Sequence, residues 1–460
     1  MTIPYLVPVL TYAALATLFL VGGRRARALK CVLVASCCGV IVTSFTGGAS
    51  GAVWLAPIFL LVVSPIVIFG RAAPGLRSTT ATRLTYAMFA VFLVGIVVGL
   101  GRFDPAVEVM KAGSFSTIMG IPTRILMAGY RTVLVCCLIL AFVLPLRYRI
   151  DDRILTECLR LVWFFSVMLA VVGVIDYLGI ADMAFSYRRQ AGYGHVSVLG
   201  FHRGALGIMS VSGIFLSFAA TQISRRPLLT LMVYASVPLL LLALLFTWSR
   251  AALLALAVGS ISLVFSLGWS RAMKGLVLTL AGTAISFLIL SQFPDLAERF
   301  SMPSDATLSD TSAGRIQAWA GLTEWLVRQP DVLLIGAGFQ NFHYYVNLSA
   351  GAVGLEAAHN NFLHILTETG IVGFMLFLAW LVSIFAWLRA WRRSAVDPSE
   401  KAAPAIFFSL MLAIVVSCLT QESLAPSFAM TPFLLHFYLV LGMFISYYRT
   451  TAAAVPRDPV

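Results

Sequence analysis

Arg250, Arg315, Arg203 and His359 are residues whose types and positions could do chemistry. FTWSRAALLAL, residues 246–256, leaves almost no loop between two apolar runs, yet it keeps Arg250 at a membrane face. Snorkelling would tolerate that charge without giving it a purpose. Arg315 opens the helical pattern RIQAWAGLTEWLVR, residues 315–328, at the positive end of a helix dipole, a poor place for a cation. Arg203, in GFHRGALG at 200–207, stands at the end of another apolar run. Cations kept at such places point to an anionic partner. His359, in AHNNFLHILTETGIVGF at 358–374, precedes a long apolar helix, so its imidazole stands at the mouth of a span, facing water. Each alone reads better as an anchor, a surface charge or a satisfied interfacial histidine; together they make a case.

Other candidates surround them. Asn360 or Asn361 is suited to cap the helix that follows. His364 and Glu368, four residues apart, share a helical face. Glu368 lies about two turns deep, where an isolated carboxylate is costly, so it requires a partner or a proton. The histidines show no HxxxH or HExxH spacing. The seven cysteines all fall in apolar runs, with Cys37-Cys38 and Cys136-Cys137 adjacent rather than spaced as CxxC. Neither pattern suggests a metal site, a cofactor or a disulfide framework.

The elements that must position these residues are membrane helices. The chain has 460 residues, 60% hydrophobic and 11% charged, with a mean hydropathy of +0.94. That balance cannot cover a solvated surface, which excludes a water-soluble globular protein. Apolar runs near 3–22, 31–48, 52–69, 84–101, 126–146, 154–175, 204–221, 228–247, 251–268, 275–293, 362–388, 403–420 and 433–448 predict an all-α polytopic bundle of about twelve to thirteen transmembrane helices. The first run has no basic residue before it and three arginines after it, unlike a cleaved leader, so it is kept as a span.

The net charge of +13 does not indicate nucleic acid, because the basic residues sit in loops. Alternating the loops between two sides gathers most of them on one face, which the positive-inside rule makes cytoplasmic. Arg102, Arg131, Arg203, Arg250 and Arg315 fall on the other, with Arg160 inside a span. The expected organisation is ten helices over 1–293, an external loop over 294–361, helices over 362–448 and a cytoplasmic tail at 449–460. The external loop is too long for a simple connection, so function is expected there. Within it, residues 315–328 predict a short amphipathic helix with Ile316, Trp319, Ala320, Thr323 and Leu326 near one face, lying against the membrane or the bundle. Gln329-Pro330 stops that helix, and the glycines of LLIGAGFQNF, 333–342, mark a turn or a close backbone approach.

TWSRAALLAL, then GRIQAW with GAGFQNF, then AHNNFLHILTETGIVGF resembles the O-antigen ligase and polymerase superfamily of bacterial inner-membrane proteins. The resemblance is specific from about 200 to 380 and architectural elsewhere. It implies transfer of an oligosaccharide or polysaccharide from an undecaprenyl diphosphate carrier to an acceptor hydroxyl at the periplasmic face, without metal or cofactor. Arg250 then matches the Ser-Arg motif at a span end, Arg315 the arginine that opens the loop helix and His359 the histidine of the His-Asn pair. Arg203 matches a looser pattern. Asn360, His364, Glu368 and Gln421 join the substrate-binding candidates; His202, His343 and Glu422 stand behind them.

The chemistry suits these residue types. Breaking a sugar-diphosphate bond leaves negative charge on the leaving oxygens, which guanidinium forks match at a fixed charge. An imidazole would deprotonate the attacking hydroxyl. A ligase would hand the finished polymer to a lipid A core, and a polymerase a growing chain to the next lipid-linked repeat, with a chain-length regulator as a further partner. The loop lacks a cation cluster suited to a phosphorylated core, which leans toward a polymerase for surface or exopolysaccharide. A lipid-linked glycan flippase is the alternative from another class, but it would place its charges near the midplane and show an internal repeat, whereas here the candidate cations lie at one face and no repeat is visible.

Overall fold

Where such a chain meets hydrocarbon its backbone must satisfy itself, and helices do so within one segment. The computed structural model describes residues 26–38, 40–44, 50–54, 57, 60–62, 64–65, 79–102, 117–118, 121–177, 203–224, 226–247, 249–267, 315–339, 358–395, 400–421, 423–426 and 430–454. The helices are α1 (Arg27–Cys38), α2 (Thr80–Gly101), α3 (Thr123–Leu146), α4 (Asp152–Tyr177), α5 (Arg203–Ser224), α6 (Pro227–Phe246), α7 (Arg250–Leu267), α8 (Arg315–Arg328), α9 (Pro330–Ile335), α10 (Asn361–Ser394), α11 (Ala402–Ser417) and α12 (Thr431–Ala454). Eight of them are long and apolar enough to cross a membrane, and α11 is an apolar helix of shorter length. The chain is a multi-pass membrane protein built as a helix bundle.

Nine of the expected spans coincide with helices. Those at 3–22 and 275–293, and most of 52–69, lie outside the described residues. The span expected over 31–48 takes another form. Helix α1 ends at Cys38, and β1 (Val40–Ser44) pairs antiparallel with β2 (Ser50–Trp54), matching Val40 with Trp54 and Ser44 with Ser50. The β-branched run Val40-Ile41-Val42-Thr43, followed by Gly47-Gly48, favours a hairpin over a continued helix. A second small pairing joins β3 (Thr117–Ile118) to β4 (Ile121–Pro122).

Helices α5 and α12 are buried along nearly their whole length. Small residues let neighbours approach them: a Cβ added at Gly213 would meet Ser166 Oγ at 2.5 Å, and one at Gly442 would meet Phe142 O at 2.5 Å. One end of the bundle gathers Arg449 on Thr82 (2.9 Å), Tyr447 on Asp152 (2.7 Å) and Arg392 on Ser266 O. The opposite end holds Arg102 on Asp331 (3.0 Å) and Tyr130 with Thr431 (2.8 Å). The described basic residues divide between the ends as their loops predict.

Helix α10 is broken at Gly370, whose φ of 67° and ψ of −174° are not helical. Next to the break, Gly336–Phe339 runs between α2 and α10. Ala337 N donates to Thr367 O (2.8 Å), Gly338 N to Glu368 O (2.9 Å) and Phe339 N to Gly95 O (2.9 Å). Gly338 needs its missing side chain twice over: its φ is 83°, and a Cβ there would lie 2.1 Å from Gly99 N. Gly338→Ala should therefore destabilise the fold by at least about 1–3 kcal/mol, the range typical of a strained backbone position. Gly129→Ala, whose Cβ would meet nothing within 4 Å, should not. Thermal unfolding of the two variants in detergent checks this; equal midpoints would contradict the close approach.

Candidate active site at one end of the bundle

The start of α10 organises the site. Asn360 caps the helix, its Oδ1 accepting from Phe362 N (3.0 Å) and Leu363 N (3.1 Å). His359, just before the cap, is half-buried and holds a left-handed φ of 48°. That region is uncommon for a residue with a side chain, and such conformations cluster at functional positions. Asn361 is fully buried. Its Oδ1 accepts from Leu424 N (2.9 Å) and Ala425 N (2.7 Å), and its own N–H donates to Cys418 O (2.8 Å). The turn after α11 is thereby wrapped around the first residue of α10. Asn361 Nδ2, Thr420 Oγ1 and Gln421 Nε2 are buried in this turn without a hydrogen-bond partner among the described residues.

Helix α8 docks on the same place. Trp319 Nε1 donates to Ala358 O (2.7 Å), directly before His359, and Arg315 Nη1 reaches Thr420 O at 3.5 Å. Arg315, His359, Asn360 and Gln421, distant in sequence, thus meet around one turn. The face that α8 buries differs from the expected one. Leu322, Trp325 and Leu326 pack with Val332, Ala337 and Ala358, while Ile316, Ala320 and Thr323 point outward. Of the expected stripe, Trp319 is half-buried and Leu326 buried. Two tryptophans and two leucines remove more apolar area from water than Ile, Ala and Thr, which decides the rotation of the helix.

Arg250 opens α7, where Ser249 Oγ accepts from Ala252 N (3.3 Å), and its side chain is exposed. Helices α7 and α11 run antiparallel, with Ser262 beside Ser409 (3.2 Å) and Gly259 against Ala413. Counting back along α7 and forward along α11 by about 18 Å, at 1.5 Å per residue, brings Arg250 level with Gln421. A Cβ at Gly207 would meet Ala252 Cβ at 2.9 Å and Ser249 Cβ at 3.1 Å, so the first turns of α5 and α7 touch. Arg203 opens α5 beside them, and its side chain lies outside the described residues, as do His202, His343 and Glu422.

Beneath the turn lies a buried polar cluster. Glu368, 1% exposed, lies 3.3 Å from Arg131 Nη1 and 3.1 Å from His364 Nε2. The partner that this carboxylate requires at such depth is Arg131, and His364 shares the same oxygen. The Arg131 guanidinium also stands 5.5 Å from the centre of the Phe339 ring. In the sequence Arg131 falls on the outer side with no evident role. An arginine in the apolar run GYRTVLV and a glutamate in another were complementary signals, but only the fold brings them together.

Residues 235–378 match the family model described as O-Antigen ligase. The match begins in α6, ends in α10 and takes in Arg250, Arg315, His359, Asn360, His364 and Glu368; Arg131, Arg203 and Gln421 fall outside it. No curated protein matches the chain. Over residues 235–378 this membrane protein is thus similar to the O-antigen ligase domain, in line with the resemblance its motifs carry.

Proposed function

We propose that the protein transfers an oligosaccharide or polysaccharide from undecaprenyl diphosphate to an acceptor hydroxyl at the periplasmic face of the bacterial inner membrane. The observation that carries this reading is the docking of α8 on the His359 segment, which holds Arg315 and His359 around the turn at 418–425. In this reading the acceptor oxygen attacks the anomeric carbon, and His359 takes the hydroxyl proton. The bond from that carbon to the diphosphate oxygen breaks, and the diphosphate leaves with the electron pair. Arg315, Arg250 and Arg203 grip the leaving oxygens; each charge-assisted hydrogen bond contributes about 1.5–3 kcal/mol, and accelerates the step only where it strengthens in the transition state. Gln421, Asn360, His364 and Glu368 hold or orient substrate and base.

The end that carries the site lies opposite the end that gathers Arg392 and Arg449. The positive-inside rule therefore turns it toward the periplasm. The acceptor we favour is a second lipid-linked repeat, which makes the protein a polymerase; a lipid A core acceptor would make it a ligase. A deletion strain separates these. A single repeat still attached to lipid A marks a polymerase, and lipid-linked polymer accumulating without attachment marks a ligase.

With purified protein, lipid-linked donor and acceptor, His359→Ala should lower transfer by about 10²–10⁴-fold, the usual worth of a general base, and leave donor binding intact. A fully active His359→Ala variant would remove the residue from that role. Arg315→Ala and Arg250→Ala should weaken both donor binding and turnover. Lysine at either position should not restore them, because an ammonium group lacks the paired fork. Unchanged kinetics in the lysine variants would rule out a bidentate clamp.

A further inference from the structure

The segment Pro330–Phe339 enters the bundle from the end that carries Arg315. Asp331 pairs with Arg102, the residue that follows α2, so the start of α9 stands level with the end of a membrane-crossing helix. The chain then descends. Phe339 N bonds Gly95 O, six residues inside the end of α2, a depth of about 9 Å at 1.5 Å per residue. Gly336 lies against Glu368 and Gly370 against Leu334, at a similar depth on α10.

Non-helical backbone is tolerated at membrane depth only where protein buries it and its polar groups are satisfied. Gly336, Ala337, Gly338 and Phe339 are all buried, and the N–H groups of the last three bond carbonyls of α2 and α10. The residues just before them behave in the opposite way. Leu334 and Ile335 are 54% and 53% exposed, next to α10, whose Val372 is 66% exposed, and near α2, whose Val97 is 68% exposed. Those two helices cross the membrane, so their exposed apolar faces meet lipid. The Leu334 backbone lies against Gly370 of α10, so these two exposed apolar side chains stand beside that helix, while the charged pair Arg102–Asp331 lies at the end of α2.

We propose that Pro330–Phe339 is a re-entrant element seated in the leaflet on the Arg315 side, with Leu334 and Ile335 in contact with the hydrocarbon chains of the bilayer. The outward stripe Ile316, Ala320 and Val327 of α8 lies above it, at the membrane surface. The long loop is thereby anchored in lipid as well as on protein. This inference is independent of the transferase reading.

In proteoliposomes, a hydrocarbon-soluble carbene reagent should label Leu334 or Ile335 of the unmodified protein, read by mass spectrometry of peptides spanning 330–339. Spin labels at Leu334→Cys, Ile335→Cys and Val97→Cys, in a background with the seven native cysteines replaced by alanine, should collide with oxygen far more than with a water-soluble nickel chelate. A label at Glu400→Cys, exposed in the loop before α11, should show the reverse. Carbene labelling that skips residues 330–339 while marking α2 and α10 would overturn the inference, as would nickel access at 334 and 335 equal to that at 400. If the cysteine-free background fails to fold, the carbene result on the native chain decides.

Discussion

A backbone N–H or C=O left unpaired in hydrocarbon costs several kcal/mol, and the architecture around the site follows from how that cost is avoided at Gly370. Helix α10 breaks there, and the carbonyls of Thr367 and Glu368, in the turn before the break, accept from Ala337 and Gly338. The exchange works only because Gly336, Gly338 and Gly370 adopt positive φ and lack a Cβ where two backbones meet. It welds the segment 336–339 to α10, the longest helix among the described residues, and so ties the neighbouring α8, which carries Arg315, to that helix.

The buried charges act on the same joint from the side. Arg131 of α3 reaches Glu368 on the turn before the break and also faces the ring of Phe339, so one guanidinium touches both partners of the weld. Removing one member of such a pair typically costs about 3–5 kcal/mol, because the other charge is stranded at low dielectric. His364 shares the carboxylate, and its N–H bonds the carbonyl of Asn360, one turn below the cap. The cluster therefore fixes the rotation of the helix start that presents His359. Asn361 does the same from above by gripping the turn at 418–425 through two backbone N–H groups.

Legibility in the sequence followed the strength of the physical signal. Nine spans were readable because a bilayer demands about twenty apolar residues and little else in a chain looks like that. Arg315 as the first residue of its helix, the stop at Pro330 and the glycine turn at 336–338 were readable because dipole, ring and φ restrictions are local. The hairpin at Val40–Trp54 was hidden, since an apolar run rich in β-branched residues scores as a span by hydropathy alone. The buried face of α8 was hidden as well, because its partners Val332, Ala337 and Ala358 come from elsewhere in the chain.

By itself the sequence determined that this chain lives in a membrane, where nine of its apolar helices run and which charges are costly at such depth, because the transfer of each residue into hydrocarbon is a property of the residue. Only the tertiary structure decided that Arg131 answers Glu368, that Asn361 holds the turn at 418–425 and that Arg315 and His359 share one end of the bundle. Those are pairings between groups tens to hundreds of residues apart. Their energies depend on distance, orientation and burial, which no single position in a sequence specifies.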